Sequence, residues 1–284
     1  MTSPRRAWTE ALAQGGVMTA TLVLVAWSVA PVVWQALTAL KPDAQITRSP
    51  TQYLPAPPTL EHFATLWDRK PFGVYLLNSV VVSACATLVA VVLAAMAALA
   101  LRRLPTTWRN GLLAALLAVS VFPPIMLLYP LYEALAAAHA LNHRLGLIVP
   151  YAGLALPLAI WILESGIRQI PSEVDEAAVI DGMPALSRLF RIHLPLAAPS
   201  LVTAAILVFI FCWNEFMLAV TFMSQDGLKT ATAGIASVSG SSIYEIPWGQ
   251  LSAAILMTTA PLMALVLFFE RRITSGLTRG AVKG

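Results

Sequence analysis

Residues 171–195 read PSEVDEAAVIDGMPALSRLFRIHLP, and they form the most polar long stretch in a strongly apolar chain. Four of the chain's fourteen acidic residues lie in it: Glu173, Asp175, Glu176 and Asp181. Ser172 is placed to cap a helix whose third position is Asp175, an acidic variant of the capping box. Negative side chains in the first turn also face the positive end of the helix dipole. The stretch therefore predicts a helix capped by Ser172.

The second half of this stretch predicts a turn and another helix. Gly182 is placed to end the first helix in a left-handed conformation, and Pro184 suits the first turn of the next helix. Four apolar residues then form a stripe at helical spacing: Leu186, Leu189, Phe190 and Leu194. Arg188 and Arg191 lie beside that stripe. Residues 171–195, called the polar loop below, are thus predicted to form a helix–turn–helix.

The composition of the whole chain places this loop in a membrane protein. Of the 284 residues, 58% are hydrophobic and only 11% are charged, against roughly a quarter in soluble domains. A chain of this composition cannot cover a water-facing surface, and its apolar runs are long enough for membrane-spanning helices. The predicted fold is therefore an all-α, polytopic membrane protein.

Six apolar stretches are long enough to cross a hydrocarbon core of about 30 Å. They lie at about 17–37, 74–101, 111–131, 145–166, 199–222 and 251–269. The predicted transmembrane domain covers 17–270, between a polar lead of 1–16 and a tail of 271–284. Pro123 and Pro124 predict a kink in the third span. The proline-rich segment 38–73 contains one predicted amphipathic helix, marked by Leu60, Phe63, Leu66 and Trp67.

The basic residues give the predicted orientation, because cytoplasmic segments carry an excess of Lys and Arg. With the N-terminus in the cytoplasm, twelve basic residues fall in inner segments and six in outer segments. Both termini and the polar loop are then cytoplasmic, whereas the small-residue-rich, flexible loop 223–250 is outside. The net charge of +4 follows this distribution, so it does not indicate a nucleic-acid partner.

The sequence contains no motif that would bind a nucleotide, a metal or another cofactor directly. It has no Gly-x-x-x-x-Gly-Lys-Ser/Thr phosphate loop, so any energy from ATP has to come from a partner protein. The four histidines show no metal-ligand spacing, and no Ser/His/Asp arrangement supports an intramembrane enzyme. Cys85 and Cys212 fall within predicted spans, where they are expected to be small packing residues.

Three parts of the polar loop together match one sequence pattern: Glu176-Ala177-Ala178, then Gly182, then Ile192-x-Leu194-Pro195. This run resembles the EAA loop of the membrane subunits of bacterial ATP-driven importers. The resemblance implies that an ATPase subunit docks on the loop and that Glu176 pairs with one of its basic residues. The coupling residues it implies are Glu176, Ala177, Ala178, Asp181, Gly182, Ile192, Leu194 and Pro195. The residues by themselves also allow an ordinary cytosolic amphipathic loop.

The resemblance covers almost the whole chain and is to the carbohydrate-type permease subunit of ABC importers. It implies a cytoplasmic EAA coupling helix between spans four and five of a six-span subunit in the bacterial inner membrane. The expected partners are a second permease subunit, ATPase subunits that bind ATP and Mg, an extracytoplasmic sugar-binding protein and the lipid bilayer, with no nucleic acid. The expected contact residues are Gly234, Ser241 and Tyr244 for the binding protein, and Arg279, Gly280 and Lys283 in the tail for the ATPase.

Trp213, Asn214 and Glu215 form a polar group inside the fifth predicted span. An amide and a carboxylate beside an indole suit a sugar, and they also suit packing between helices, so both roles stay open. No Lys/Arg cluster lies in the spans, which favours a neutral sugar, and the resemblance points to trehalose- or maltose-like substrates. The alternative is an ion- or proton-coupled carrier with a relay through Glu164 and Glu215. A carrier of that kind is expected to contain internal repeats across its spans. It would also give the polar loop no function.

Overall fold

The computed structural model describes residues 4–238 and 246–281, with side chains for 14–238 and 246–269. Every regular element in these ranges is helical, which confirms the all-α class. The α-helices of the described ranges are α1 Pro4–Ala39, α2 Asp43–Ile46, α3 Glu61–Arg69, α4 Phe72–Arg102, α5 Thr106–Ser120, α6 Leu128–Ala137, α7 Leu145–Arg168, α8 Ser172–Ile180, α9 Ala185–Arg188, α10 Leu194–Leu196, α11 Ala198–Asn214, α12 Met217–Phe222, α13 Ala231–Ala236 and α14 Trp248–Ala281. The chain divides into two units, Met1–Lys70 with Val238–Met257, and Pro71–Ser237 with Thr258–Gly284.

The first unit contains α1, α2, α3 and the start of α14. Helix α3 falls where the sequence predicts a short amphipathic helix, although it begins at Glu61 and leaves Leu60 outside. Its buried face consists of His62 and Leu66, one turn apart, whereas Trp67 is exposed. The His62 Nε2 atom lies 2.7 Å from the Lys41 carbonyl oxygen. A polar side chain with a backbone partner therefore replaces part of the apolar face that the sequence predicts.

Four helices within the described ranges are long and apolar enough to cross a membrane: Gln14–Ala39, Phe72–Arg102, Leu145–Arg168 and Trp248–Phe269. Two bent pairs of helices raise this number to six if each pair counts as one span. The pair Thr106–Ser120 and Pro124–Ala137 is bent by 81°, and the pair Ala185–Leu196 and Ala198–Asn214 by 87°. The apolar segments thus follow the predicted order along the chain, but two of them are not straight.

The first bend lies at the two prolines for which the sequence predicts a kink. Pro123 and Pro124 have no N–H to donate, so α5 ends at Ser120 and a 3₁₀ turn at Pro124–Leu127 leads into α6. Helix α6 continues to Ala137, beyond the predicted span end at 131. The loop that follows is accordingly shorter than the predicted outer loop.

The predicted fifth span, 199–222, is not one continuous helix. Helix α11 ends at Asn214, Glu215 has an extended backbone with φ −67° and ψ 127°, and α12 begins at Met217. Besides its Ser and Thr residues, the span is apolar apart from Asn214 and Glu215, and the interruption falls at these two residues, which the sequence singled out as polar without predicting a break. The cause lies in the side chain of Glu215, which is described with the candidate site.

The second unit is built on α4, α7 and α11, which pack against one another. Helix α4 contributes a seam of fully buried alanines one turn apart: Ala86, Ala90, Ala94 and Ala98. Small side chains allow the backbones of neighbouring helices to approach closely, which is the main way membrane helices gain packing energy. Helix α7 fills the remaining space with large buried side chains, among them Tyr151 and Leu163.

Polar side chains fix the segment that follows α12. The Asn78 amide donates to the carbonyl oxygens of Gly227 and Lys229, at 3.0 Å each. Arg144 in turn donates to Asn78 Oδ1 through Nε and Nη2, at 3.1 and 2.9 Å. The first part of the loop 223–250 is therefore held by hydrogen bonds and is not the flexible segment that its composition predicts.

A matched pair of glycines in α7 tests how closely this helix packs. A Cβ atom at Gly166 would overlap the Ser200 side chain at the start of α11, whereas nothing lies within 4 Å of a Cβ at Gly153. We expect Gly166→Val to destabilise the protein by about 1–3 kcal/mol through overpacking. Gly153→Val should leave the thermal unfolding midpoint in detergent close to that of the parent. Equal midpoints for the two variants would contradict the close approach of α7 and α11.

Candidate functional site

Helix α8 forms the first half of the polar loop, but it starts differently from the prediction. It runs from Ser172 to Ile180 with Pro171 at the N-cap position, and no side chain caps it. The prediction that Ser172 caps the helix was therefore wrong. Asp175 does not complete a capping box because its carboxylate faces Arg188 and His193 in the second half of the loop. A long-range ionic contact replaces the local cap.

Gly182 ends α8 in the left-handed conformation that the sequence predicts. Its φ is +73°, and the Gly182 and Met183 N–H groups donate to the carbonyl oxygens of Val179 and Ala178, at 2.9 and 3.0 Å. This pair of bonds is the Schellman arrangement, which satisfies the last carbonyl groups of a helix. Nothing lies within 4 Å of a Cβ atom built at Gly182. Within this chain, the backbone conformation and not the available space favours glycine at this turn.

Three charged or polar side chains join the two halves of the loop, and we call Asp175, Arg188 and His193 the brace. Asp175 Oδ1 lies 3.1 Å from Arg188 Nε and 3.3 Å from His193 Nε2. The Arg188 side chain also donates from Nη1 to the Met183 carbonyl oxygen at 2.9 Å. Arg188 and His193 are both buried. Burial lowers the pKa of His193, which favours its neutral ring.

The sequence analysis missed the brace because it assigned Arg188 to the flank of an apolar stripe. The stripe itself is divided, since Leu189 is buried while Leu186 and Phe190 are exposed. A signal was nevertheless present, because an acid in the first helix and two basic residues in the second are a natural ionic pairing across a helix–turn–helix. Spacing alone does not say which basic residue turns inward.

The exposed side of α8 contains most of the predicted coupling residues. Glu176, Ala177, Asp181 and Gly182 are exposed, while Ala178 is buried and packs the helix against the rest of the unit. Apolar side chains also lie on the exposed side, and Ile180 has 86% of its surface accessible. Contiguous exposed apolar groups beside a carboxylate are typical of a surface that another protein covers.

The remaining predicted coupling residues lie at the joint with α11. Ile192 belongs to a π-helical turn, Leu189–His193, and Leu194 and Pro195 belong to α10. Pro195 has no N–H to offer to the preceding turn, which accounts for the change in hydrogen-bond pattern there. The 87° bend follows directly. The motif thus has two parts, an exposed surface around Glu176 and a joint at 192–195.

Arginine side chains attach the start of the polar loop to the bundle. Arg102, at the end of α4, donates from Nη1 to the Ile167 carbonyl oxygen at 2.7 Å and from Nη2 to that of Ile170 at 3.0 Å. Glu164, named above only as a relay residue of the carrier alternative, is buried, and its Oε1 atom lies 3.4 Å from Arg109 Nε. Movement of the loop is therefore tied to α4, α5 and α7.

The three candidates for the substrate path have different surroundings. Trp213 is buried and donates from Nε1 to the Thr258 carbonyl oxygen at 3.2 Å. Glu215 accepts from the backbone N–H groups of Leu218 and Ala219, at 2.8 and 3.1 Å, and from the Tyr151 hydroxyl at 2.6 Å.

Glu215 therefore caps α12, and this explains why the fifth span is interrupted. Its carboxylate already has three donors, which favours the structural role that the sequence left open. Among the three candidates, only Asn214 has an exposed side chain, and its amide donates to the Ile210 carbonyl oxygen at 2.8 Å.

The other predicted contact residues are only partly described. Gly234 is buried in α13, and a Cβ atom there would overlap the Tyr75 ring, so this residue cannot offer a contact surface. Close packing is the reason for glycine at this position. Ser241, Tyr244 and Lys283 lie outside the described residues. Arg279 and Gly280 lie in the continuous helix α14 and not in an extended tail.

Comparison with known proteins agrees with this arrangement. Residues 90–279 match the model of the family described as binding-protein-dependent transport system inner membrane component. This chain belongs to that family. The matched residues include the whole polar loop and most of the second unit, so the EAA resemblance lies inside the family's own region. The chain is thus a multi-pass inner membrane component of a binding-protein-dependent transport system, a transport subunit and not an enzyme.

Two relatives are similar over nearly their whole length. A sulfoquinovosyl glycerol transport system permease protein of Agrobacterium fabrum is 37% identical, covering 89% of this chain and 88% of that protein. A trehalose transport system permease protein of Mycobacterium tuberculosis is 38% identical, covering 92% of this chain and 95% of that protein. A solved bacterial ABC transporter involved in the import of the acidic polysaccharide alginate has the same fold, with a TM-score of 0.73 at 17% identity. That match covers 95% of this chain and 98% of the other.

The brace predicts a specific stability effect. Asp175→Ala leaves the buried Arg188 without its carboxylate partner. Breaking a fully buried pair costs about 3–5 kcal/mol, and because Asp175 is partly exposed we expect about 2 kcal/mol. The thermal unfolding midpoint of the purified protein should fall, and adding Arg188→Met should restore much of the loss. Glu173→Ala, which removes an exposed acid from the same turn, is the control; an equal effect there would contradict the brace.

Proposed function

We propose that this chain is one of two membrane-spanning permease subunits of an ATP-driven importer for neutral di- or oligosaccharides. Exposed helix α8 carries the proposal, because it combines the Glu176 carboxylate and exposed apolar side chains with the contact from Asp175 to Arg188 in the second half of the loop. In a binding-protein-dependent system without its own phosphate loop, the partner for this surface is an ATPase subunit. The polar loop is therefore called the coupling loop from here on.

Coupling would follow from the contacts of the loop. Glu176 would make a charge-assisted hydrogen bond to a basic residue of the ATPase, while Ile180 and its apolar neighbours would bury surface against it. When the ATPase subunits close on ATP, α8 would move with them. The brace would carry that displacement into α11, and Arg102 would carry it into α4 and α7. The bundle would then alternate between inward and outward access.

The second permease subunit and the orientation are also part of this proposal. The apolar segment Gln14–Ala39 has no buried residue in its most apolar window, and Trp27 and Leu22 are widely exposed. Lipid and a second permease subunit would cover this surface. The excess of basic residues in inner segments favours cytoplasmic termini and a cytoplasmic coupling loop.

A neutral sugar such as trehalose or maltose is the proposed substrate. Relatives are named for trehalose, for trehalose and maltose, for diacetylchitobiose and for sulfoquinovosyl glycerol, so glycosides are their common feature. The long apolar helices contain no cluster of Arg or Lys that would suit an anionic substrate. The carrier alternative is not favoured, because Glu164 is paired with arginines and Glu215 caps a helix.

The test is uptake of radiolabelled trehalose and maltose by cells that express this chain with its second permease, ATPase and binding protein. We expect uptake to cease when the catalytic glutamate of the ATPase is replaced and to persist when a protonophore removes the proton gradient. Uptake that survives loss of the ATPase but stops with the protonophore would favour the ion-coupled carrier and refute the proposal.

Gly182→Asp is expected to uncouple ATP hydrolysis from uptake. Asp tolerates the positive φ of Gly182 better than most residues, and no described atom lies within 4 Å of a Cβ there, so the insertion and the fold should persist while the added bulk and charge obstruct the docked ATPase. Uptake should fall at least about tenfold, equivalent to about 1.4 kcal/mol, with ATP hydrolysis retained. Gly227→Asp, at another exposed glycine with open space around it, is the control. Parental uptake in Gly182→Asp would disprove the docking role.

A further inference from the structure

A polar cavity lies in the first unit, among α2, α3 and the start of α14. Its volume is about 330 Å³. Six side chains that line it offer hydrogen bonds or an aromatic face: Asp43, Thr47, Glu61, Arg69, Trp248 and Gln250. They come from segments 38–73 and 246–250, which the basic-residue count assigns to the outer side of the membrane. Neither the coupling loop nor the substrate-path residues contribute to this cavity.

The lining has the chemistry that binds sugar hydroxyls. Carboxylates at Asp43 and Glu61 accept hydrogen bonds, Arg69 donates them, and the Gln250 amide does both. Trp248 is 51% exposed, so its indole offers an apolar face on which the C–H side of a pyranose ring can lie. A site of mixed donors and acceptors around one aromatic ring suits a neutral polyhydroxyl ligand better than an ion.

The wall behind these side chains is rigid. His62 is buried beneath the cavity, and its Nε2 atom lies 2.7 Å from the Lys41 carbonyl oxygen. A Cβ atom at Gly249 would overlap the His62 ring, so α14 and α3 meet in close contact there. Lys41 is itself buried, and its ammonium group lies 4.9 Å from the centre of the Trp34 ring. These contacts hold the backbone behind the cavity in place, and a lining that is ordered before binding lowers the entropy cost of binding.

A second cavity adjoins the first and extends it. Its volume is about 250 Å³, and it shares Ile46, Thr47 and Trp248 with the first cavity. Trp34 adds another indole to its lining, together with Gln35. Two adjoining compartments with a shared tryptophan can hold consecutive rings of a di- or oligosaccharide, one ring in each.

We propose that these two cavities form an outer sugar-binding groove, centred on Trp248, which holds one or two glycosyl units of the imported saccharide. The inference rests on the proposed function for the sugar and for the outer location. Asp43, Glu61, Arg69 and Gln250 bind the hydroxyl groups of the first ring, and Trp34 and Gln35 contact the second. The groove retains sugar at the outer surface of the subunit independently of the coupling loop.

Photoaffinity labelling tests this groove directly. The assembled transporter, in nanodiscs and without its binding protein, is irradiated with diazirine-bearing trehalose or maltotriose, and the labelled peptides are identified by mass spectrometry. We expect labelling in 34–69 and 246–252, competed by unmodified trehalose or maltose and not by glycerol. Trp248→Ala should reduce labelling of these peptides about tenfold, and Trp248→Phe should restore part of it.

Matched controls separate binding from folding. Trp67→Ala removes another exposed tryptophan, 55% accessible and on α3 but outside the cavity lining, and should leave labelling unchanged. Glu61→Gln, which alters a lining carboxylate, should also reduce labelling, and Asp68→Asn, outside the lining on the same helix, is its control. If Trp248→Ala lowers the thermal midpoint, Asp43→Asn serves instead, because 73% of that side chain is exposed and Asn keeps an oxygen facing His62, 3.8 Å from Asp43 Oδ1 in the parent.

Three outcomes would overturn the groove: no competed labelling in these peptides, unchanged labelling in Trp248→Ala, or a Trp248→Ala defect confined to stimulation of ATP hydrolysis by the binding protein. The last outcome would assign the surface to a protein contact. Uptake of trehalose by the complete transporter distinguishes a failure of the groove proposal from a failure of the proposed function. Uptake without groove labelling refutes the groove alone, whereas the absence of ATP-dependent uptake of any sugar refutes the proposed function.

Discussion

Backbone N–H and C=O groups inside a lipid bilayer have no water to bind, and every break in a helix leaves several of them free. This chain nevertheless breaks its helices in the second unit, and polar side chains repair some of these interruptions. Glu215 binds the free N–H groups at the start of α12. Arg102 donates to the carbonyl oxygen of Ile167 in the last turn of α7 and to that of Ile170 just beyond it. The few charged residues near the spans therefore have a structural use that the composition alone does not reveal.

The need to pair every backbone N–H and C=O group within the protein is weaker in the coupling loop, which is predicted to lie outside the bilayer. It gathers acids and arginines in one short segment, and its helices are held by an ionic brace instead of by a lipid-facing apolar surface. On one side of α8, Ala178 is buried and Asp175 contacts the second half of the loop, while Glu176 and Ile180 remain exposed. A helix that is held on one side and exposed on the other is suited to bind a partner protein and to transmit the partner's displacement.

Local preferences explain what the sequence could predict. The left-handed turn at Gly182 depends on one residue's backbone freedom, and the kink at Pro123 and Pro124 depends on missing donors, so both follow from nearby residues. The capping box between Ser172 and Asp175 failed because Pro171 takes the N-cap position and the Asp175 carboxylate has a distant partner, and Gly234 was misassigned because its neighbour Tyr75 is far away in sequence. Side-chain contacts between separate helices decide such positions, and no pattern along one helix records them.

The alanine seam of α4 has a mechanical consequence. With Ala86, Ala90, Ala94 and Ala98 fully buried and α7 packed against α4, the contact between these two helices leaves little free volume for one to slide along the other, whereas another face of α4 borders an apolar cavity of about 550 Å³. Helices α4 and α7 are then expected to move together as one unit. Under the proposed mechanism, a change of shape during a transport cycle would therefore fall at helix breaks outside this pair, such as the 81° bend between α5 and α6.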